Sequence, residues 1–153
     1  MDHIEDREIL YRSVEDENCY ADGSKIRLKS QAFADRHKKP SVDRAKLWDF
    51  NPTKTQLSPS DAIVMLFAEQ VRSLKIPQYN SDKKVEFHYE MDVHAAPIPE
   101  ESGKPANPAH AEIRPNCDFR SDKAFKRLLE SLCRLAEGYY LPILPESQRP
   151  QSK

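Results

Sequence analysis

Glycine is scarce in this chain, which contains only three glycines among 153 residues. P-loops, dinucleotide-binding GxGxxG turns and GxSxG nucleophile elbows each need clustered glycines, because their backbones take positive φ values or approach a ligand closely. The sequence therefore argues against a P-loop NTPase, a Rossmann enzyme or an α/β-hydrolase. Neither Ser24 nor Ser41 stands in a nucleophile elbow, so we do not expect a serine nucleophile.

Cysteines and long apolar runs are scarce as well. The three cysteines, Cys19, Cys117 and Cys133, form an odd number without a CxxC pair, which is typical of a reducing cytoplasm rather than of a disulfide framework. The longest apolar run covers only residues 62–68, far too short to cross a bilayer, and the acidic N-terminus lacks the apolar core of a signal peptide. We therefore expect a cytoplasmic protein without a membrane segment.

Charge is distributed unevenly along the chain, although the net charge is only −1. Residues 1–22 carry eight acidic and two basic side chains, whereas residues 24–54 carry nine basic and three acidic ones. The basic segment is expected to contact phosphates or a protein partner, or else to meet the acidic arm of its own chain. The side chains predicted to bind a partner or a phosphate are Arg36, Lys38, Lys39 and Arg44.

Hydrophobic patterning predicts an α+β fold, in which a small, mostly antiparallel sheet carries a packed C-terminal amphipathic helix. Residues 85–94 alternate apolar and polar side chains, and residues 109–114 repeat this pattern after a Pro-rich loop, so the two are expected to pair as strands. Residues 121–138 carry an apolar stripe at helical spacing, with Ser121 as the N-cap and Gly138 after the last turn.

Two other segments are harder to assign. Residues 59–75 fit either a helix or a buried central strand, and we favour the strand. Ser41 is predicted to cap the start of a helix, and Trp48 and Phe50 after it are expected to pack into the core.

The chain is long enough to form one domain with a substantial core. We expect a flexible acidic N-terminus over residues 1–8, a single domain over residues 9–140, and a Pro-rich, largely flexible tail over residues 141–153. The apolar stretch at 139–145 is expected either to lie across the domain's own core or to dock on a partner.

The histidines provide the sharpest hypothesis about a site. His94 and His110 flank the Pro-rich loop on the polar faces of two partner strands, so their side chains can approach each other. With Asp92 or Glu112 orienting an imidazole and Arg114 stabilising an anion, they can act as general base and general acid of a phosphodiesterase or ribonuclease. The alternative is that these residues form the solvated face of an amphipathic hairpin.

A metal site is not expected from the histidines. His88 and His94 share one face of one strand, but at about 3.3 Å per residue they lie roughly 20 Å apart and cannot share an ion. With Cys117 or a carboxylate added, the polar face that carries His94 and His110 could instead hold a metal. We nevertheless predict no metal and no cofactor.

Four short motifs, SQAF, PSVDRAKL, VRSL and NPAHAEI, follow one another between residues 23 and 135. This order resembles a family of small bacterial proteins with SxAF, SVDxAxL and NPAHAxI motifs. The resemblance implies no known activity, cofactor or catalytic residue.

The sequence as a whole favours binding over catalysis. The preferred interpretation is a small cytoplasmic bacterial domain that acts as a protein-interaction or accessory module. Two alternatives stay open: a small hydrolase or ribonuclease that uses His94 and His110, and a nucleic-acid-binding accessory protein that uses the basic segment 24–54.

Overall fold

The computed structural model describes residues 3–137 and contains a six-stranded sheet, a two-stranded hairpin and a C-terminal helix. The elements are β1 Ile9–Val14, β2 Cys19–Asp22, β3 Lys25–Leu28, β4 Ser41–Arg44, β5 Ala62–Phe67, α1 Ala68–Arg72, β6 Lys75–Tyr79, β7 Val85–Ala95, β8 His110–Pro115 and α2 Asp122–Ala136. The strand order is β5-β1-β4-β8-β7-β6, every neighbouring pair is antiparallel, and β2 and β3 pair separately. This architecture confirms the predicted α+β fold class.

The large sheet has two unlike faces, because side chains alternate along every strand. One face packs against α2 and a 3₁₀ turn at Ser30–Phe33, and this layer holds the main hydrophobic core. The opposite face is covered by apolar residues only near β1 and β5, where Tyr11 and Ile63 pack against Ala45. Much of the remaining surface of this second face is polar.

The strand register decides which polar residues meet on that open face. On the central strands β4 and β8, Asp43 lies opposite His110. Two residues away, Ser41 lies opposite Glu112, which in turn lies opposite His94 on β7. The register therefore carries one row of polar side chains across three neighbouring strands.

The C-terminal helix agrees closely with its prediction. α2 begins after Ser121, whose hydroxyl accepts a hydrogen bond from the Ala124 amide at 3.2 Å and so caps the helix. Its apolar stripe is buried in the core through Phe125, Leu128, Leu129, Leu132 and Ala136. Gly138, predicted to end the helix, lies outside the described residues.

The predicted helix starting at Ser41 is wrong. Residues Ser41–Arg44 form β4, which is held between β1 and β8 in the middle of the sheet. Pairing on both sides satisfies the backbone of this segment, and a helix there would leave one edge of β1 and one edge of β8 without a partner strand. Only a 3₁₀ turn follows, at Ala45–Trp48.

The expected burial of the two aromatic residues after β4 also differs from the structure. Phe50 is 58% exposed, and Trp48 is only partly buried. Asp49 and Phe50 follow the 3₁₀ turn with positive φ values of 54° and 57°, and both are exposed.

Residues 59–75 contain both kinds of structure. The apolar run forms β5, as favoured, and pairs along its whole length with β1. A short helix, α1, follows it directly, and the next strand, β6, was not predicted from the sequence. Within residues 3–137, no helix is both long and apolar enough to cross a membrane.

The segment that precedes β1 packs on the domain, in contrast to the flexible N-terminus expected from its charge. Ile4 is 2% exposed and belongs to the main core. Glu8 is also buried, and the Arg72 guanidinium donates a 2.6 Å hydrogen bond to the Ile4 carbonyl. The predicted tail at 141–153, with the apolar stretch at 139–145, lies outside the described residues.

Candidate functional site

His94 and His110 lie on the same face of the sheet, as the hypothesis of a histidine site requires. The pairing of β7 with β8 puts His94 opposite Glu112, and His110 is two residues from Glu112. Such diagonal neighbours are about 7–8 Å apart in a sheet. His94 is exposed, and within the described part of the chain no hydrogen bond joins the two imidazoles.

The charged residues that the hypothesis assigns to these histidines have other partners. Arg114 contacts Glu112, with Nε and Nη2 at 2.9 and 2.8 Å from Oε1. Asp92 accepts a 2.7 Å hydrogen bond from Arg72. Partial burial acts to raise the pKa of Asp92, but the hydrogen bonds from Arg72 and the Val93 amide outweigh it and hold the pKa below its usual value.

The His110 imidazole is held from both sides. Its Nδ1 lies 2.8 Å from the Ala96 carbonyl oxygen, and its Nε2 lies 3.1 Å from the Ser41 hydroxyl. A carbonyl oxygen can only accept a hydrogen bond, so Nδ1 carries the proton. In the neutral imidazole, Nε2 is then the basic nitrogen and accepts the hydrogen bond that Ser41 donates.

Next to this pair, a buried carboxylate connects three segments of the chain. Asp43 is 8% exposed and accepts hydrogen bonds from the Trp48 indole and the Asn107 amide, both at 3.0 Å. The Asn107 side-chain oxygen accepts a 3.1 Å hydrogen bond from the Ala109 amide. These contacts fix the end of the Pro-rich loop against β4, immediately before His110.

Arg12 holds Ser41 from the other side of the sheet. Its guanidinium donates to the carbonyl oxygens of Ala32, Ser41 and Ala34, at 2.8, 2.7 and 3.2 Å, and lies 5.2 Å from the Phe33 ring centroid. Burial lowers the pKa of Arg12 from its usual value. The backbone of Ser41 is thus tied to β1 and to the 3₁₀ turn that follows β3.

Ser41 and His110 line a cleft of about 280 Å³ on the open face. Ser13 lines the same cleft, but its hydroxyl donates to Asp61 at 2.7 Å instead of facing a histidine. The apolar side chains of Leu57 and Ile98, which are 87% and 41% exposed, form part of its rim. The cleft therefore combines a polar floor with an apolar edge.

The sequence analysis identified His110 but argued against Ser41. The two residues are 69 positions apart, and no local pattern reveals a contact between two distant strands. The available signal was the order of short motifs. PSVDRAKL supplies Ser41 and Asp43, NPAHAEI supplies Asn107 and His110, and the two motifs meet in the cleft.

Not all of the residues predicted to bind a phosphate or a partner lie at the surface. Arg44 is 1% exposed and its Nε lies 2.5 Å from Oε1 of Glu8. Lys38 forms a 2.9 Å ion pair with Asp122 at the start of α2. Arg36 is exposed and lines a groove between the Ser30–Phe33 turn and α2 that Asp122 also lines, and Lys39 is partly buried.

The cysteines differ in their surroundings. Cys117 is exposed, whereas Cys19 and Cys133 are buried, and burial raises their pKa values to about 11 and about 12. Among residues 3–137, no group of three or more His, Cys, Asp or Glu side chains is arranged to hold a metal ion. Comparisons with protein-family models, with curated proteins and with solved structures found no match.

Proposed function

We propose that this protein is a small hydrolase in which Ser41 is the nucleophile and His110 the general base. One observation carries the proposal: the Ser41 hydroxyl lies 3.1 Å from Nε2 of an imidazole whose Nδ1 is fixed by the Ala96 carbonyl. A nucleophile within hydrogen-bond reach of a base, with that base oriented by a third group, is the arrangement used by serine and cysteine hydrolases. The surrounding cleft gives a substrate access to the pair.

The proposed reaction uses the tautomer of His110 in which Nδ1 carries the proton and Nε2 is free to accept one. Nε2 of His110 accepts the hydroxyl proton while Ser41 Oγ forms a bond to the substrate carbonyl carbon. The protonated imidazole then donates that proton to the leaving group. In the second half of the reaction, Nε2 accepts a proton from the water that bonds to the acyl carbon, and it returns this proton to Ser41 Oγ as the acyl-serine bond breaks. The cleft volume of about 280 Å³ lies just below the usual range for ligand pockets, roughly 300–1,000 Å³, which favours a small substrate. We propose a small ester or thioester.

This proposal replaces the partner that the sequence analysis gave to His110. The ring nitrogens of His110 contact Ala96 and Ser41, whereas His94 is exposed and Arg114 contacts Glu112. His94 therefore has no assigned step in the proposed reaction.

A fluorophosphonate probe tests the pair directly. The probe phosphonylates an activated serine: a bond forms between Oγ and phosphorus, fluoride leaves, and the base takes the proton. We expect the native protein to gain one probe mass at Ser41, measured by intact mass and peptide mapping. His110→Ala is expected to label about 10²–10⁴-fold more slowly, as is typical when a general base is lost.

Ser13 provides the matched control, because it lines the same cleft without contacting the imidazole. Ser13→Ala is expected to label like the native protein, while Ser41→Ala is expected not to label. If the native protein stays unlabelled, or if His110→Ala labels at the native rate while keeping its fold, the hydrolase proposal is wrong. Hydrolysis of a p-nitrophenyl ester provides a second readout on the same variants.

A second function, binding of a protein partner, is favoured by a different observation. The loop between β4 and β5 exposes three large apolar side chains, Leu47, Phe50 and Leu57, at 37%, 58% and 87%. Exposed aromatic and aliphatic residues clustered on one loop are typical of interaction surfaces. The positive φ values of Asp49 and Phe50 hold part of this loop in an unfavourable conformation, which is common at functional sites.

Variants separate the two functions. A protein that is retained from lysate by the native chain and by Ser41→Ala, but not by Phe50→Ser combined with Leu57→Ser, would support the interaction function. Retention that is unchanged in the double variant would contradict it.

A further inference from the structure

Four of the nine basic side chains of segment 24–54 are paired with carboxylates of this same chain. Arg27 contacts Asp22 at 2.7 Å, and Lys38 contacts Asp122 at 2.9 Å. Arg44 and Lys46 both contact Glu8. At these four positions a phosphate would have to displace a carboxylate, which makes them weaker candidates for an anion site.

A different surface combines positive charge with a concave shape. Lys83, Lys123 and Arg127 line a groove of about 610 Å³ between α2 and the turn that joins β6 to β7. No carboxylate is among the described residues that line it. The acidic residue next to Lys123, Asp122, is paired with Lys38.

None of these three cations forms a salt bridge with a carboxylate of the described chain, residues 3–137. Three unneutralised charges in one groove repel one another, and a bound anion would relieve that repulsion. In segment 24–54, by contrast, four of the cations are paired with carboxylates.

An aromatic ring stands beside the cations. The Arg127 guanidinium lies 4.6 Å from the centroid of Tyr79, whose side chain is 41% exposed at the end of β6. The neighbouring turn is held by Asn80, whose side-chain oxygen accepts hydrogen bonds from the amides of Asp82 and Lys84. Lys83 sits in this turn with a positive φ of 61°, so the turn presents Lys83 in a fixed backbone conformation.

We propose that this groove binds single-stranded nucleic acid. Lys83, Lys123 and Arg127 contact successive phosphates, and Tyr79 with the guanidinium of Arg127 provides a platform on which a base stacks. Proteins that bind single strands without sequence preference combine these two features, a cationic track and a nearby aromatic face. The site is separate from the Ser41–His110 cleft and does not depend on its proposed chemistry.

Fluorescence anisotropy with a labelled oligo-dT of about twelve nucleotides tests the groove on the full-length protein. Three phosphate contacts on a single strand predict a slope of about −2 for log K against log salt. We expect the triple variant Lys83→Gln, Lys123→Gln, Arg127→Gln to bind at least about tenfold more weakly and with a shallower salt slope.

The matched control removes three positive charges from the basic segment instead, through Arg36→Gln, Lys38→Gln and Lys39→Gln. It is expected to retain native affinity if the groove is the site. Equal losses in both triple variants, with circular dichroism showing both folded, would mean that binding follows net charge alone, and the proposal would be overturned. Absence of binding by the native protein at low salt would overturn it as well.

Tyr79→Ala distinguishes a nucleic acid from a small anion. Loss of a stacked base is expected to weaken oligo-dT binding by about fivefold or more. Competition by inorganic tripolyphosphate should not change in the same variant. If tripolyphosphate competes as well as the oligonucleotide and Tyr79→Ala has no effect on either, the groove binds phosphate groups only and the nucleic-acid proposal is wrong.

Discussion

Ion pairs in this protein are expected to differ in how much they contribute to the free energy of unfolding. Arg44 and Glu8 have side chains that are 1% and 4% exposed, and Nε of Arg44 lies 2.5 Å from Oε1 of Glu8. Arg114 and Glu112 form a pair of similar length, but their side chains are 37% and 27% exposed. Burial, rather than the distance between the charges, decides how much is lost when one partner is removed.

Removing one member of the buried pair is expected to be costly. Glu8→Ala removes the carboxylate that contacts the buried Arg44 guanidinium, and the free energy of unfolding should fall by about 3–5 kcal/mol. Urea unfolding followed by circular dichroism measures this change. Arg114→Ala is the control and should cost about 0–1 kcal/mol. Equal costs for the two variants would show that burial of the Glu8–Arg44 pair has no special effect.

The two buried thiols predict a loss of stability at alkaline pH. Burial raises the pKa of Cys19 to about 11 and that of Cys133 to about 12, whereas a thiol in the unfolded chain titrates near about 8.5. A raised folded-state pKa contributes stability below the unfolded pKa, and that stability is lost as the pH rises toward the folded pKa. The free energy of unfolding should therefore fall between about pH 8.5 and pH 11.

Substitution of the thiols isolates this effect from other groups that titrate in the same range. In Cys19→Ala with Cys133→Ala, the alkaline decrease in unfolding free energy should be smaller than in the native protein. Cys117→Ala should keep the native decrease, because that thiol is exposed. An unchanged pH profile in the double variant would contradict the prediction.

At the scale of the element, local patterns predicted some segments well. β7, β8 and α2 follow from the sequence because their periodicity is long and their packing uses one face only. β4 was mistaken for a helix because Ser41 is a good capping residue, whereas the pairing of β4 with β1 and β8 is a long-range property. β6 was missed because it is a short, half-exposed edge strand that contains Pro77.

The candidate site shows the same limit. His110 stood out in the sequence because it lies on a strand next to a Pro-rich loop. Ser41 could not be paired with it, because the contact depends on β4 and β8 being neighbours in the sheet. The glycine-rich elbow used to judge serines is one solution for exposing a nucleophile, and Ser41 lies on a strand instead.

The cap of α2 provides a prediction for a single element. Ser121→Ala removes the hydroxyl that accepts from the Ala124 amide, and the free energy of unfolding should fall by about 1 kcal/mol. Thermal or urea unfolding measures the loss. Ser121→Asp keeps an acceptor at the cap and should remain close to the native stability. A similar loss for both substitutions would mean that the cap does not contribute through this hydrogen bond.

At the scale of the whole molecule, the N-terminal segment connects parts of the fold that are distant in sequence. Glu8 reaches Arg44 on β4, and Arg72 on α1 donates to the Ile4 carbonyl, to Asp6 and to Asp92 on β7. Ile4 itself lies in the main core. Two acidic residues of this segment, Asp6 and Glu8, form ion pairs with the domain.

Ile4→Ala tests whether this segment is part of the cooperative unit. The substitution opens a cavity at a side chain that is 2% exposed, so the free energy of unfolding should fall by about 2–5 kcal/mol. Leu57→Ala is the matched control, because it removes a similar apolar side chain that is 87% exposed and should change stability by less than about 0.5 kcal/mol. If Ile4→Ala is as mild as Leu57→Ala, the first residues do not belong to the folded core. If Ile4→Ala causes a large loss of stability and unfolding remains a single transition, the domain begins before β1. A truncated protein that begins at residue 9 would then lack part of the core.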